Sequence, residues 1–195
     1  MVKSSAYGAE AFELAKTIQE DHVDYLAVAV ADEGFELRKA GITSSIIIMN
    51  PELTSLKTMF DYHLEPEIYS FRLLENLLRM AEKEGITNFP IHIKIDTGMH
   101  RLGFDPSEMP LLIKKLKSQT AVIPRSVFSH LAGSDSPEFD DYTRQQIAVF
   151  EKASTELQEA FNHRILRHIC NSAAAERFPE AQYDMARLGI GLSGV

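Results

Sequence analysis

Between positions 91 and 104 the chain reads Ile91-His92-Ile93-Lys94-Ile95-Asp96-Thr97-Gly98-Met99-His100-Arg101-Leu102-Gly103-Phe104. On a strand, side chains alternate between faces, so the isoleucines share one side and His92, Lys94 and Asp96 the other. A half-exposed edge strand would simply wet that polar face. A strand covered on both sides would carry three ionisable groups inside, where each needs a partner, and Arg101 is the nearest cation on offer. Other chemistry-bearing residues stand at separate places: Lys3 near the start, His130 in Ser129-His130-Leu131-Ala132, Asn171-Ser172, and Arg187-Leu188-Gly189-Ile190-Gly191. A serine hydroxyl beside the unpaired N–H groups of a helix start, facing a glycine-rich turn that lets the backbone approach closely, suits a phosphate. Taken singly these residues are ordinary. Ser172 reads as an N-cap, Gly189 and Gly191 as a turn, Arg187 as a surface ion-pair residue, Lys3 as a solvated lysine, and His130 as a satisfied buried histidine. Their positions relative to the secondary structure decide whether they form a site.

Ala11, Leu14, Ala15 and Ile18 follow helical spacing almost from the start of the chain, which leaves few residues for a strand before them. Residues 25–30 form a continuous apolar run typical of a strand covered on both faces, and a short helix over 32–40 stops at Gly41. Further strands are expected at 46–49, 64–69, 91–96, 121–129, 168–170 and 185–188. The one at 64–69 is the weakest, because it contains Pro66. Helices fall between them. One, behind the cap Ser70, runs through Phe71, Leu74, Leu78 and Ala81 to Gly85, and Asp105-Pro106-Ser107-Glu108 opens another as a capping box with proline at its first position. A long helix over 138–161 is expected to bury Tyr142, Val149, Phe150, Ala153, Leu157 and Phe161. Strands alternating with helices, with no linker or repeat, predict a (β/α)8 TIM-like barrel incomplete at its first strand. A doubly wound open sheet is the structural alternative. In a barrel the active site forms at the carboxyl ends of the strands; Lys3, Arg101, His130, Asn171, Ser172, Gly189 and Ile190 stand at or after a strand end, and Arg187 is in the last residues of the eighth.

With 195 residues, the chain is long enough for one large domain. Its 20 Lys and Arg against 28 Asp and Glu give a net charge of -8 with no basic stripe, which argues against nucleic acid and anionic membranes as partners. Cys170 is the one cysteine, so neither an internal disulfide nor a cysteine-rich zinc site can form, and the reading is of a soluble cytoplasmic protein. The histidines lack metal-ligand spacing, so no metal is expected, and neither a P-loop nor a Gly-x-Ser-x-Gly elbow is present.

Five motifs, in order, resemble those of the alanine racemase family. Val2-Lys3-Ser4-Ser5-Ala6-Tyr7-Gly8 is similar to V-K-A-N-A-Y-G, and Lys94 to Gly103 to K-x-D-T-G-M-x-R-L-G, the most specific of the set. Ser129-His130-Leu131-Ala132, Asn171-Ser172-Ala173-Ala174 and Arg187-Leu188-Gly189-Ile190 complete it. The resemblance implies a cofactor-binding barrel domain over residues 1–195, cut at both ends and without the β domain that follows in the family. It implies pyridoxal 5′-phosphate as cofactor, carried by Lys3, which also acts as one of two acid/base groups. Tyr7, Asn171, Ser172, Gly189 and Ile190 would hold the phosphate end, Arg187 would face the pyridine nitrogen, His130 would flank the ring, and Arg101 would reach the phenolic oxygen. Lys94 matches a lysine often carbamylated in the family, which would make it an anion able to pair with Arg101. The expected substrate is alanine, the expected assembly of the full-length protein a homodimer, and the expected role D-alanine supply for peptidoglycan. The isolated chain is expected to be inactive, because the second base, a tyrosine, comes from the β domain. Departures are Ser5, Leu188 and Ser193, all peripheral. Two rivals are a related amino-acid decarboxylase, which would place an acidic residue where Arg187 stands, and a non-catalytic pyridoxal-phosphate-binding barrel.

Overall fold

The computed structural model describes residues 1–2 and 11–193. Six strands lie side by side, all parallel and in chain order: β1 (Tyr25–Val28), β2 (Ser45–Ile48), β3 (Leu64–Ile68), β4 (Phe89–Lys94), β5 (Val122–Phe128) and β6 (Leu166–His168). The helices are α1 (Ala11–Glu20), α2 (Ala31–Lys39), α3 (Leu56–Asp61), α4 (Phe71–Glu84), α5 (Met109–Lys117), α6 (Asp140–Glu159) and α7 (Ser172–Arg177). A doubly wound sheet would reverse strand order at a switch point. The unbroken order here is that of a barrel wall, and the strands curl into a partial barrel.

The expected first strand, ending at Lys3, falls partly outside the described residues, and the expected eighth strand does not form a ladder. Residues 184–188 instead run beside β6 through Asp184 N–H to Arg167 O at 3.0 Å and Arg187 N–H to Cys170 O at 3.0 Å. These bonds recur every three residues, whereas a parallel ladder repeats every two, so the segment is not a regular strand. Met1 N donates to Leu188 O at 2.7 Å and Val2 N–H to Ala27 O at 2.8 Å, which links this segment to β1.

Alternation along the strands separates two layers. Leu26, Val28, Ile46, Ile48, Leu64, Ile68, Ile91, Ile93 and Val127 point out to the helices and belong to one continuous apolar core. Helix α4 joins it with Leu73, Leu74, Leu77 and Ala81; the Ser70 hydroxyl accepts from Leu73 N–H at 3.3 Å at its start, and Gly85 at φ 68° ends it. Asp105 and Glu108 form the expected capping box, closing a 3-10 turn that leads into α5. Helix α6 departs from its expected phase: Phe150, Ala153 and Leu157 are buried, but Tyr142 and Val149 are exposed, and Thr143, Gln146 and Ser154 turn inward in their place. Gln146 is drawn in by the loops above the strands, and Ser154 by Arg167 of β6, whose Nε donates to its Oγ at 2.9 Å; hydrophobicity alone does not register those demands.

Candidate active site

The barrel interior is polar where such barrels usually hold branched apolar side chains. β3 contributes Glu65 and Glu67, β4 His92 and Lys94, β5 Ser126, and β6 His168; of these only Glu65 and Lys94 retain any exposure, at 8% and 4%. Lys94 Nζ donates to Glu67 Oε1 at 3.3 Å and lies 5.4 Å from the Phe128 ring centroid. Burial pushes the Glu67 carboxyl up to about 7 despite the Lys94 charge beside it, and burial likewise lowers the Lys94 amine against the pull of Glu67. His92 Nε2 meets Glu65 Oε2 at 2.8 Å, and its Nδ1 meets Ser126 Oγ at 2.6 Å. The partners of the β4 charges are therefore the two glutamates of the neighbouring strand. Arg101, the partner expected from sequence, stands exposed at the rim and acts on Glu67 and Lys94 only through its charge.

Asp96 also has a different task. It is past the end of β4, and its Oδ1 accepts from Gly98 N–H at 2.9 Å and His100 N–H at 3.0 Å, shaping the loop that carries Arg101. That loop returns through Gly103 at φ 136°, where a Cβ would lie 2.4 Å from Asp96 N, so only glycine fits. Phe104 then bridges back to Ile95. Gln146 of α6 fastens the loop to its neighbour: its Nε2 donates to Thr97 Oγ1 at 3.3 Å and His130 O at 3.1 Å, while its Oε1 accepts from Ala132 N–H at 3.0 Å.

Above these layers, at the carboxyl ends of the strands, a cavity of about 760 Å³ is lined by Arg101, His130, Asn171, Ser172, Arg187 and Gly189, with Lys94 and Phe128 among its other walls. Arg187 is anchored on several sides. Nη1 donates to His168 Nδ1 at 2.6 Å, and Nη2 to Ser129 O at 2.5 Å and Ile169 O at 3.2 Å. His130 Nδ1 is 3.5 Å from the same Nη2. Burial lowers Arg187 to about 10, so it remains a cation at neutral pH, and the same burial together with the Arg187 charge holds His168 well below the usual histidine range.

Asn171, not Ser172, caps α7: its Oδ1 accepts from Ala174 N–H at 2.9 Å and from the Ser134 hydroxyl at 2.9 Å. That leaves the Ser172 hydroxyl to accept from Gly189 N–H at 3.1 Å and Gly191 N–H at 3.3 Å. A Cβ at Gly191 would come within 3.0 Å of Ser172 Cβ and Oγ, so the glycine permits this approach. The fold thus brings Arg101, His130, Asn171, Ser172, Arg187 and Gly189 around one cavity. Ile190 follows Gly189 in a 3-10 turn, while Lys3 and Tyr7 lie outside the described residues. Glu65, Glu67, Ser126, His168 and Gln146 were not expected from sequence. Among the described residues no three His, Cys, Asp or Glu side chains gather to hold a metal ion, and no helix is long and apolar enough to cross a membrane.

The family model described as alanine racemase, N-terminal domain, matches residues 1–195. The chain belongs to the alanine racemase N-terminal domain family. Among its relatives, alanine racemase 1 of Clostridium acetobutylicum is 36% identical over 196 residues, covering 100% of this chain and 50% of the relative. The alanine racemase of Treponema denticola is 36% identical over 99% of this chain and 52% of its own length. The chain therefore spans about half the length of the curated relatives it matches. Solved alanine racemases share the fold: that of Clostridium difficile 630 superposes with a TM-score of 0.90 at 32% identity, covering 97% of this chain and 49% of that one. The enzyme from Streptomyces lavendulae gives 0.92 at 28% identity, over 100% of this chain and 51% of that one.

Proposed function

We propose that residues 1–195 form the pyridoxal 5′-phosphate-binding barrel domain of an alanine racemase, whose parent enzyme interconverts L- and D-alanine and supplies the D-isomer for peptidoglycan. The observation that carries this proposal is Arg187, a part-buried cation fixed by backbone carbonyls and a neutral histidine at the cavity wall. A fixed guanidinium opposite a pyridine nitrogen keeps that nitrogen unprotonated, which restrains the ring as an electron sink and favours return of the proton to the carbon it left. A decarboxylase of related fold would need an acid there, and none stands at that point.

The residues present fit the cofactor. Ser172, beside the N–H groups of Gly189 and Gly191, makes a compact polar pocket that a Cβ at Gly191 would crowd; on this proposal Gly189, Ile190, Asn171 and Tyr7 would complete the phosphate end. His130 and Arg101 line the cavity between that end and the rim. When bound, pyridoxal phosphate supplies the electron-withdrawing system that makes an amino-acid α-proton acidic enough to move. Lys3 would anchor it, then take and return that proton on one face of the substrate, with Arg101 holding the anionic oxygen nearby. Inversion needs a second acid/base group on the opposite face, which on this proposal comes from the other half of the relatives' length across a homodimer interface. Glu67 bears on the carbamylation expected at Lys94: its carboxyl, raised to about 7, is partly charged at neutral pH, and a carbamate beside it would set a second anion in a buried site, so we assign the Lys94 amine as unmodified.

The test is hydrogen exchange at Cα. Incubated with pyridoxal phosphate and each alanine enantiomer in D2O, the chain should exchange the α-proton of one enantiomer faster than the other, above free cofactor, without accumulating the opposite isomer. Exchange equal to free cofactor with both enantiomers contradicts the proposal.

A further inference from the structure

We propose that Glu65, His92, Ser126 and His168 form a one-directional hydrogen-bond relay across the barrel interior ending on Arg187, in which Ser126 and His92 are positioning residues for that guanidinium. The distances are continuous across four strands and the segment after β6. Glu65 Oε2 to His92 Nε2 is 2.8 Å, His92 Nδ1 to Ser126 Oγ 2.6 Å, Ser126 Oγ to His168 Nε2 3.0 Å, and His168 Nδ1 to Arg187 Nη1 2.6 Å. His92, Ser126 and His168 are fully buried, so water cannot complete a missing bond.

The direction follows from the chemistry of the two ends. A guanidinium has only donors, so Arg187 donates and His168 Nδ1 must accept. The His168 proton is then on Nε2 and is donated to Ser126. If His92 also donated to Ser126 from Nδ1, the serine hydrogen would have no acceptor among these partners, and an unprotonated Nε2 would face the Glu65 carboxylate lone pair to lone pair. The other arrangement satisfies every group: Ser126 O–H donates to His92 Nδ1, and His92 Nε2–H donates to Glu65. Both imidazoles are neutral and both carry hydrogen on Nε2. The depression of the His168 pKa by burial and by Arg187 agrees with this state.

The relay gives Arg187 an acceptor whose lone pair is fixed in direction, as a carboxylate behind a histidine does for a metal ligand. Together with the carbonyls of Ser129 and Ile169, it sets the plane of the guanidinium. What that plane faces rests on the proposed function, but the relay itself does not.

Long-range ¹H–¹⁵N correlation spectra of the ¹⁵N-histidine-labelled chain, without cofactor, read the tautomers directly. The relay predicts His92 and His168 both neutral and in the Nε2–H form near neutral pH. Ser126→Ala should shift the ring nitrogens of both histidines, and Ser126→Thr, which keeps the hydroxyl, should restore the wild-type pattern. An Nδ1–H tautomer or a charged ring at either histidine overturns the relay, as does a Ser126→Ala spectrum in which His168 is unchanged. If Ser126→Ala does not fold, the wild-type tautomers and the threonine variant decide alone. A parallel titration with pyridoxal phosphate should show binding about 10-fold weaker in Ser126→Ala, on the scale seen when an outer partner of a site ligand is lost. Correct tautomers in a chain that does not bind pyridoxal phosphate would leave the relay standing and remove the proposed function.

Discussion

Replacing Glu67 with glutamine should remove a pH dependence of stability that this one buried carboxyl imposes. Its side chain is fully buried beside Lys94 Nζ, and burial raises it from the ordinary 4.5 to about 7. Between those values the folded chain holds a proton that the unfolded chain has released, so unfolding releases protons. Stability from this group is therefore complete below pH 4.5 and is lost as the pH rises through about 7. At ~1.4 kcal/mol per tenfold in proton affinity, the loss amounts to about 3 kcal/mol. Glutamine has no such proton, and without the Glu67 charge the Lys94 amine falls further below its usual range. A lysine lowered in this way contributes in the opposite sense, favouring the folded state as pH rises. Urea unfolding of the wild type and Glu67→Gln at several values from pH 5 to pH 8 measures the difference, and taking the difference cancels the other titrating groups. The wild type should lose about 3 kcal/mol relative to the variant across that range. Parallel pH profiles, or a variant that loses more than the wild type, would refute a raised Glu67 carboxyl.

Gly103→Ala forces a Cβ to 2.4 Å from Asp96 N at φ 136°, and should lower stability by about 2–4 kcal/mol in thermal unfolding. Gln146→Ala removes three bonds between the loops after β4 and β5, and should cost about 2–3 kcal/mol while speeding hydrogen exchange at the Ala132 amide. With ¹³C-bicarbonate, the wild type should show no carbamate carbon by NMR, whereas Glu67→Gln, with its less protonated Lys94 and no opposing anion, should show one; a carbamate in the wild type would return Lys94 to the modified state.

Much of the barrel was legible because its wall obeys simple periods. The apolar runs at 25–30 and 46–49 became β1 and β2, and the capping box at Asp105 began a 3-10 turn where expected. The alternation of isoleucines with His92 and Lys94 gave the outer and inner faces of β4 correctly. The same rule applied to Leu64-Glu65-Pro66-Glu67-Ile68 would have placed two carboxylates inside beside them. Pro66 lowers the strand propensity of that run, yet the parallel strand accommodates it in register with Ile48. The segment at 185–188 resembled a strand by composition, but its bonds to β6 are too widely spaced for a ladder, a matter of register that composition does not record. The phase of α6 failed for a related reason. Gln146 is buried by the bonds it makes to two loops, and only the tertiary arrangement specifies those partners.

The central claim is that this cavity holds pyridoxal phosphate on Lys3. Borohydride reduction of the chain mixed with pyridoxal phosphate, followed by proteolysis and mass mapping, tests it most directly. The expected result is one stoichiometric label, on the peptide containing Lys3, reduced in Arg187→Ala. No label, or a label spread over surface lysines without preference for Lys3, would contradict it.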